Sequence, residues 1–250
     1  MTGMGYVKKY WNTPLGKVVE EYHSAAGPPP GGRGERRRPT TEEMEKANQR
    51  QRQRKARLLM MNNFRADDYF VTLTYRAEER PESMKECRRQ LTNFLARLKR
   101  EYIKRGSELK WIRNIEVGSR GAWHIHMVVN RIPDTDLLIA KHWRHGHPKS
   151  VLMYEDGGFR KLAEYMTKTG GGMTEGGESY SHSRNLIMPK EHKRRVRGDI
   201  TRKDGGFRAI RIPKGYTLDT GSVYEGINVY TGYPYRYYTL LKGPPERSKQ

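Results

Sequence analysis

A single cysteine, Cys87, leaves this chain unable to form an intramolecular disulfide, which excludes the stapled secreted scaffolds and fits a reducing compartment. No run of about 18 apolar residues is present, so no membrane-spanning helix is expected. Met1–Tyr6 lacks the apolar core of a signal peptide. Apolar residues are scarce at 34% of the 250, too few for a large core along the whole length. Acidic residues are also short: 28 Asp and Glu face 49 Lys and Arg, for a net charge of +21. That excess implies a polyanionic partner, and nucleic acid fits better than a membrane surface. No Gly-x-x-x-x-Gly-Lys-Ser/Thr phosphate loop occurs, which argues against a fused helicase. The expectation is a soluble, cytoplasmic protein.

What is present falls into three stretches. Residues 1–65 read as a basic flexible arm and a helix. Gly, Pro and Arg dominate positions 1–39, with Pro28-Pro29-Pro30-Gly31-Gly32 ahead of Arg36-Arg37-Arg38, the composition of a mobile arm. Thr40 or Thr41 can cap a helix with Glu42, Glu43 and Glu45 in its first turn and Arg50, Arg52, Arg54, Lys55 and Arg57 beyond, in the order a helix dipole favours. Residues 171–250 read as a basic, Tyr-rich C-terminal extension after the glycines at 170–172 and 176–177. Its basic cluster is Lys190, Lys193, Arg194, Arg195 and Arg197. Its tyrosines either stack on unpaired bases or pack as folded anchors.

Between them, residues 66–170 carry the folded pattern. Tyr69–Tyr75 alternates as a strand. Pro81 precedes a helix with Cys87, Leu91, Phe94, Leu95, Leu98 and Tyr102 at helical spacing. Strands follow at 111–117 and 123–129, then a helix capped by Asp134, a strand over 149–154 and a helix over 161–168. The order strand–helix–strand–strand–helix–strand–helix predicts an α+β domain, an antiparallel sheet with helices over one face.

The strand Trp123-His124-Ile125-His126-Met127-Val128-Val129 concentrates the chemistry. His124 and His126, two residues apart, share one face, leaving Ile125, Met127 and Val129 on the other. Two imidazoles on a rigid strand make half of a divalent-metal site. Glu116 joins them if it pairs with His124 and Asn114 with His126, which leaves Ser119-Arg120-Gly121 as the hairpin loop with glycine at its left-handed position. A two-residue loop would put Glu116 on the far face. Tyr165 and Lys168 lie on the last helix. A tyrosine hydroxyl with a pKa near ~10 is a weak nucleophile at neutral pH, so a nearby Lys168 and a bound Mg²⁺ or Mn²⁺ would be needed to assist it. A second cluster, His142, His145 and His147, lacks thiol or carboxylate company and reads as a surface loop touching phosphate.

Phe70-Val71-Thr72-Leu73-Thr74, His124-Ile125-His126 and Tyr165-Met166-Thr167-Lys168 together resemble the three motifs of the HUH endonucleases, nearest to the rolling-circle replication initiator (Rep) proteins of plasmids and bacteriophages. The resemblance spans about residues 66–170. It implies a ferredoxin-like five-stranded antiparallel sheet with a metal site at its centre. It further implies nicking of single-stranded or hairpin origin DNA, with the tyrosine joined to the 5′ phosphate and a 3′ hydroxyl left for extension. By position it makes His124, His126 and Glu116 ligands of Mn²⁺ or Mg²⁺, Tyr165 the nucleophile and Lys168 its accessory charge. A bacterial host helicase and polymerase would be partners, in the cytoplasm. The chain departs from some phage initiators, with Lys161 and Thr169 a helical turn from Tyr165 where a second nucleophile would stand, and it lacks a three-histidine relaxase motif. A single-tyrosine transposase and a non-catalytic nucleic-acid-binding regulator are the alternatives. The sequence leaves the oligomeric state open.

Overall fold

The computed structural model describes residues 5–29, 32–35, 38–118, 121–154, 156–168 and 180–243. The glycine clusters at 170–172 and 176–177, together with Thr169, Pro30, Gly31, Arg36 and Arg37, lie outside them. In chain order the elements are β1 (Gly5–Thr13), β2 (Gly16–Tyr22), α1 (Thr41–Asn63), β3 (Tyr69–Thr74), α2 (Met84–Lys104), β4 (Trp111–Val117) and β5 (Trp123–Val129). There follow α3 (Thr135–His142), β6 (Pro148–Leu152), α4 (Arg160–Met166), β7 (Tyr180–His182), β8 (Glu191–Arg197), β9 (Tyr216–Asn228) and β10 (Tyr233–Lys242). They form two compact units. One is continuous, Asn63–Ile187; the other joins Met1–Asn62 to Met188–Gln250.

The continuous unit holds a sheet in the order β6-β3-β5-β4-β7, antiparallel at every pairing. Leaving aside β7, the path β3-α2-β4-β5-α3-β6 is the βαββαβ arrangement of ferredoxin-like folds, so the expected α+β architecture is present. Helix α2 starts where Ser83 accepts a hydrogen bond from the Glu86 N–H at 3.2 Å. Cys87, Leu91, Phe94, Leu98 and Tyr102 then recur on one stripe and bury against Val71, Leu73, Ile115, Ile125 and Met127, with Leu138 and Ile139 of α3 beside them. Both helices thus cover the sheet face opposite the histidines. Asp134 stands at the start of α3 as expected, but in the left-handed region (φ 61°) and without a side-chain cap bond.

The second unit corrects the reading of residues 1–39 as a mobile arm. β1 and β2 form a hairpin, and the sheet order is β8-β1-β2-β10-β9. Val7, Trp11, Val18 and Val19 are buried. The strands were hard to see because their polar positions are also inside: Glu21 is held by Lys8 Nζ at 2.8 Å and by Arg236 Nε at 3.0 Å. These partners offset the desolvation that burial imposes on a carboxylate.

Helix α1 lies in this unit. Its capping box is made by Thr40, whose Oγ1 accepts from the Glu43 N–H at 3.2 Å while the Glu43 carboxylate accepts from the Thr40 N–H at 2.9 Å. Arg50, Arg54 and Arg57 form a stripe directed at the sheet. Arg50 stacks over Tyr224 at 4.6 Å, Arg54 bonds Glu20 and lies over Trp11 and Tyr237, and Arg57 bonds Asp219 at 2.7 Å. Much of the helix's cationic character is therefore spent inside the fold.

Arg57 and Asp219 are both almost fully buried, so removing one partner strands a charge at a cost of about 3–5 kcal/mol. Arg57→Ala is expected to lower unfolding stability by about 3 kcal/mol or more in urea titrations, with Arg57→Met/Asp219→Leu recovering most of it.

Candidate active site

Three strands converge on the site. β4 pairs with β5 so that Glu116 is opposite His124 and Asn114 opposite His126, and β3 pairs with β5 so that Thr74 is opposite His124 and Thr72 opposite His126. The hairpin register expected from the sequence is the one observed. The turn is closed by the Gly118 N–H, which donates to the Ala122 carbonyl at 2.8 Å, and Gly121 takes φ +70°. Ser119 and Arg120 lie outside the described residues. Cross-strand alternation then puts Glu116, His124, His126, Asn114, Thr72, Thr74 and Phe70 on one face, with the helix-packed core beneath.

Helix α4 delivers Tyr165 to this face. The Tyr165 hydroxyl lies 2.8 Å from His126 Nε2, and the rings meet nearly edge to face at 5.0 Å. His126 Nδ1 contacts Thr72 Oγ1 at 3.2 Å. A proton on Nδ1, donated to Thr72, leaves the Nε2 lone pair to accept from the phenol. Phe70 lies parallel to the imidazole, 3° apart with centroids at 5.9 Å, and presents an edge to Tyr165. Glu116 Oε2 is 3.5 Å from His126 Nε2, and the His124 ring stands perpendicular to His126 at 6.1 Å.

Burial and charge set the protonation of this group. Burial holds the His126 pKa below the ordinary imidazole value, only partly opposed by Glu116. His126 is therefore neutral at pH 7. Its contribution to stability is complete above the unfolded value of about 6.5 and is lost as the pH falls through the lower folded value. Burial first, and the Glu116 carboxylate second, push the Tyr165 phenol above its usual value. Tyr165 thus starts further from phenolate than a free tyrosine, with no offsetting contribution from Lys168.

Lys168 is placed differently from the expectation. α4 ends at Met166; Thr167 caps it and returns its hydroxyl to the Ala163 carbonyl at 2.7 Å. Lys168 lies just past the helix, exposed, its N–H donating to the Tyr165 carbonyl at 3.2 Å. Its carbonyl is reached by Asn114 Nδ2 at 3.5 Å.

Among the described residues no three His, Cys, Asp or Glu side chains are gathered into a ready coordination shell. The donor types still suit a cation: two imidazoles and a carboxylate share one face, and Glu116 and His126 are adjacent. The second histidine cluster does not converge. His145 Nδ1 meets Glu79 at 2.9 Å, and His142 faces Glu101 at 3.7 Å. Sequence reasoning quoted Phe70 and Thr72 in a motif without giving them a role. Their position two residues apart on the strand beside the histidines was the signal for it.

Residues 68–170 match the family of replication-associated proteins typified by ORF2, a span that contains every strand and helix of the site just described. No curated protein and no solved structure matches the chain. No helix among the described residues is long and apolar enough to cross a membrane.

Glu116 raises the pKa of both His126 and Tyr165. In metal-free protein, Glu116→Gln is expected to lower both, the imidazole read by NMR titration and the phenol by phenolate absorbance. If neither group moves, Glu116 has no electrostatic part in the site.

Proposed function

Because residues 68–170 make this chain a replication-associated protein of the ORF2 type, we propose that it is an origin-specific single-strand DNA endonuclease and strand transferase that initiates rolling-circle replication. The observation that carries the reading is the 2.8 Å contact between the Tyr165 hydroxyl and His126 Nε2, on the face that also holds His124 and Glu116. A phenol aimed at a neutral imidazole, on an open sheet face of a strongly cationic chain, suits nucleophilic attack on a phosphodiester.

In this reaction Tyr165 Oη forms a bond to phosphorus and the bond from phosphorus to the 3′ oxygen breaks. The product is a 5′-phosphotyrosine and a free 3′ hydroxyl. The phenol proton leaves toward the imidazole or solvent, and the departing 3′ oxygen gains a proton. Phe70 and Thr72 fix the His126 ring so that Nε2 keeps its aim. Lys168, exposed beside the helix end, supplies positive charge toward the phosphate.

His124, His126 and Glu116 would hold a Mn²⁺ or Mg²⁺ ion. Such an ion supplies Lewis-acid polarisation of the phosphate and charge stabilisation. The electrostatics give a reason for it: the carboxylate that raises the Tyr165 pKa is also the one available to hold the cation, which would neutralise that effect. Nε2 has one lone pair, so holding an ion and accepting the phenol proton are exclusive uses of the same atom. The 3′ hydroxyl is a primer for a host polymerase. With no phosphate loop in this sequence, strand separation falls to a host helicase, in the bacterial cytoplasm.

Incubation with origin-containing single-stranded DNA and Mn²⁺ or Mg²⁺ is expected to give a covalent adduct on denaturing gels, absent in Tyr165→Phe and on chelation. With a verified origin, no adduct in wild type would leave a binding-only protein. Thr72→Val, which removes the partner of His126 Nδ1, is expected to reduce adduct formation by about 10–100-fold without unfolding the protein. An unchanged rate would remove Thr72 from the mechanism.

A further inference from the structure

The unit made by Met1–Asn62 and Met188–Gln250 contains a cationic groove that the Tyr165 site does not use. Its volume is about 610 Å³, within the range of ligand-sized clefts. One wall is a stripe of α1, with Asn48, Gln51, Arg52 and Lys55 at helical spacing; Trp11 and Met188 lie below. Among the described residues no carboxylate lines it. We propose that this groove is a second nucleic-acid-binding site, holding the phosphodiester backbone of single-stranded DNA independently of base sequence.

Several observations lead to this occupant. α1 has no acidic residue from Ala47 to Ala66, so the i, i+4 carboxylate partners that usually accompany a solvated basic helix are missing. Arg50, Arg54 and Arg57 turn inward to the sheet, whereas Arg52 and Lys55 are exposed on the groove side and engage no acid among the described residues. The β8–β1 register adds to the charge. Val7 pairs with Arg195, Lys9 with Lys193 and Trp11 with Glu191, so Lys193 and Arg195 stand on the same sheet face as the groove's indole. Lys193 and Arg195 are exposed and meet no described carboxylate, while Glu191 is held by Lys9 at 3.2 Å. Guarding a sheet edge against strand addition would account for cations on β8. It does not account for Arg52 and Lys55, which are on a helix. Asn48 and Gln51 add neutral donors and acceptors suited to sugar, phosphate or base edges.

The inference goes beyond the nickase reading and is tested apart from it. The probe is a labelled oligothymidylate lacking any origin sequence, bound to the full chain and followed by anisotropy across a salt series. Substituting Arg52, Lys55, Lys193 and Arg195 by Gln together is expected to weaken binding at least about 10-fold and to flatten the log–log salt slope by about 0.7 per lost phosphate contact. The milder pair Arg52→Gln/Lys55→Gln, both exposed, should give about half that slope change, so a folding defect in the fourfold variant cannot mask the result. As a charge-matched control, Lys85, Arg89, Lys99 and Arg100 on the exposed side of α2 are changed to Gln, with little expected effect. Equal weakening by both sets would reduce the effect to net charge and overturn the groove. Retained oligothymidylate binding with lost duplex binding would overturn the single-strand assignment. Tyr165→Phe should bind oligothymidylate like wild type. An adduct assay that fails while this binding persists would refute the nickase reading alone.

Discussion

Pairing of Glu116 with His124, and of Asn114 with His126, is the constraint on which the rest of the site depends. Strand side chains alternate with a period of two, so a slip of one residue would move Glu116 into the helix-packed core and Ile115 into solvent. Ile115 and Ile125 face each other in that core, fully buried, and so the hydrophobic layer on one side fixes the polar layer on the other. Gly121, at positive φ, lets the hairpin close in this register. The electrostatics follow from it: Glu116 is near enough to act on both His126 and Tyr165 because the strand pairing holds it there.

Net charge is a poor guide to where this chain meets an anion. Of the cations on α1, Arg50, Arg54 and Arg57 are occupied by a tyrosine ring, Glu20 and Asp219. In the same sheet Glu21 is buried, and burial by itself would raise its pKa; Lys8 and Arg236 reverse this and leave it lowered. Its stabilising contribution is present above the ordinary carboxylate range and is lost as the pH falls through the lowered value. Some of the excess of Lys and Arg over Asp and Glu therefore serves to hold together a sheet with few apolar residues.

The continuous unit was legible because its signals are local. Period-two alternation marked β3 and β5, an apolar stripe marked α2, and the spacing from Glu116 to His124 set the turn. The length of α4 was not legible, because the Thr167 hydroxyl ends the helix by taking a backbone carbonyl from its last turn. β1 and β2 were hidden for a different reason. Their apolar residues are separated by Lys and Glu, and the groups that make those charges tolerable inside, Arg54 and Arg236, are distant in sequence. A mobile arm and a strand with remote ion-pair partners have much the same composition. Phe70 and Thr72 were visible as residues but not as roles, since stacking at 3° and a contact at 3.2 Å depend on strand neighbours.

The interrupted unit also fixes an order of assembly. β2 pairs with β1 on one side and with β10 on the other, and the stretch between β2 and β10 includes the whole continuous unit. During synthesis the Asn63–Ile187 unit has all its strands before β10 emerges, and domains generally fold as units in that direction. The β1–β2 hairpin meanwhile waits with both edges unpaired, a state open to wrong strand addition. The charged side chains of Lys8, Lys9, Glu20 and Glu21 on it are poor templates for such pairing. The residues that obscure these strands in the sequence thus protect them until their partners arrive.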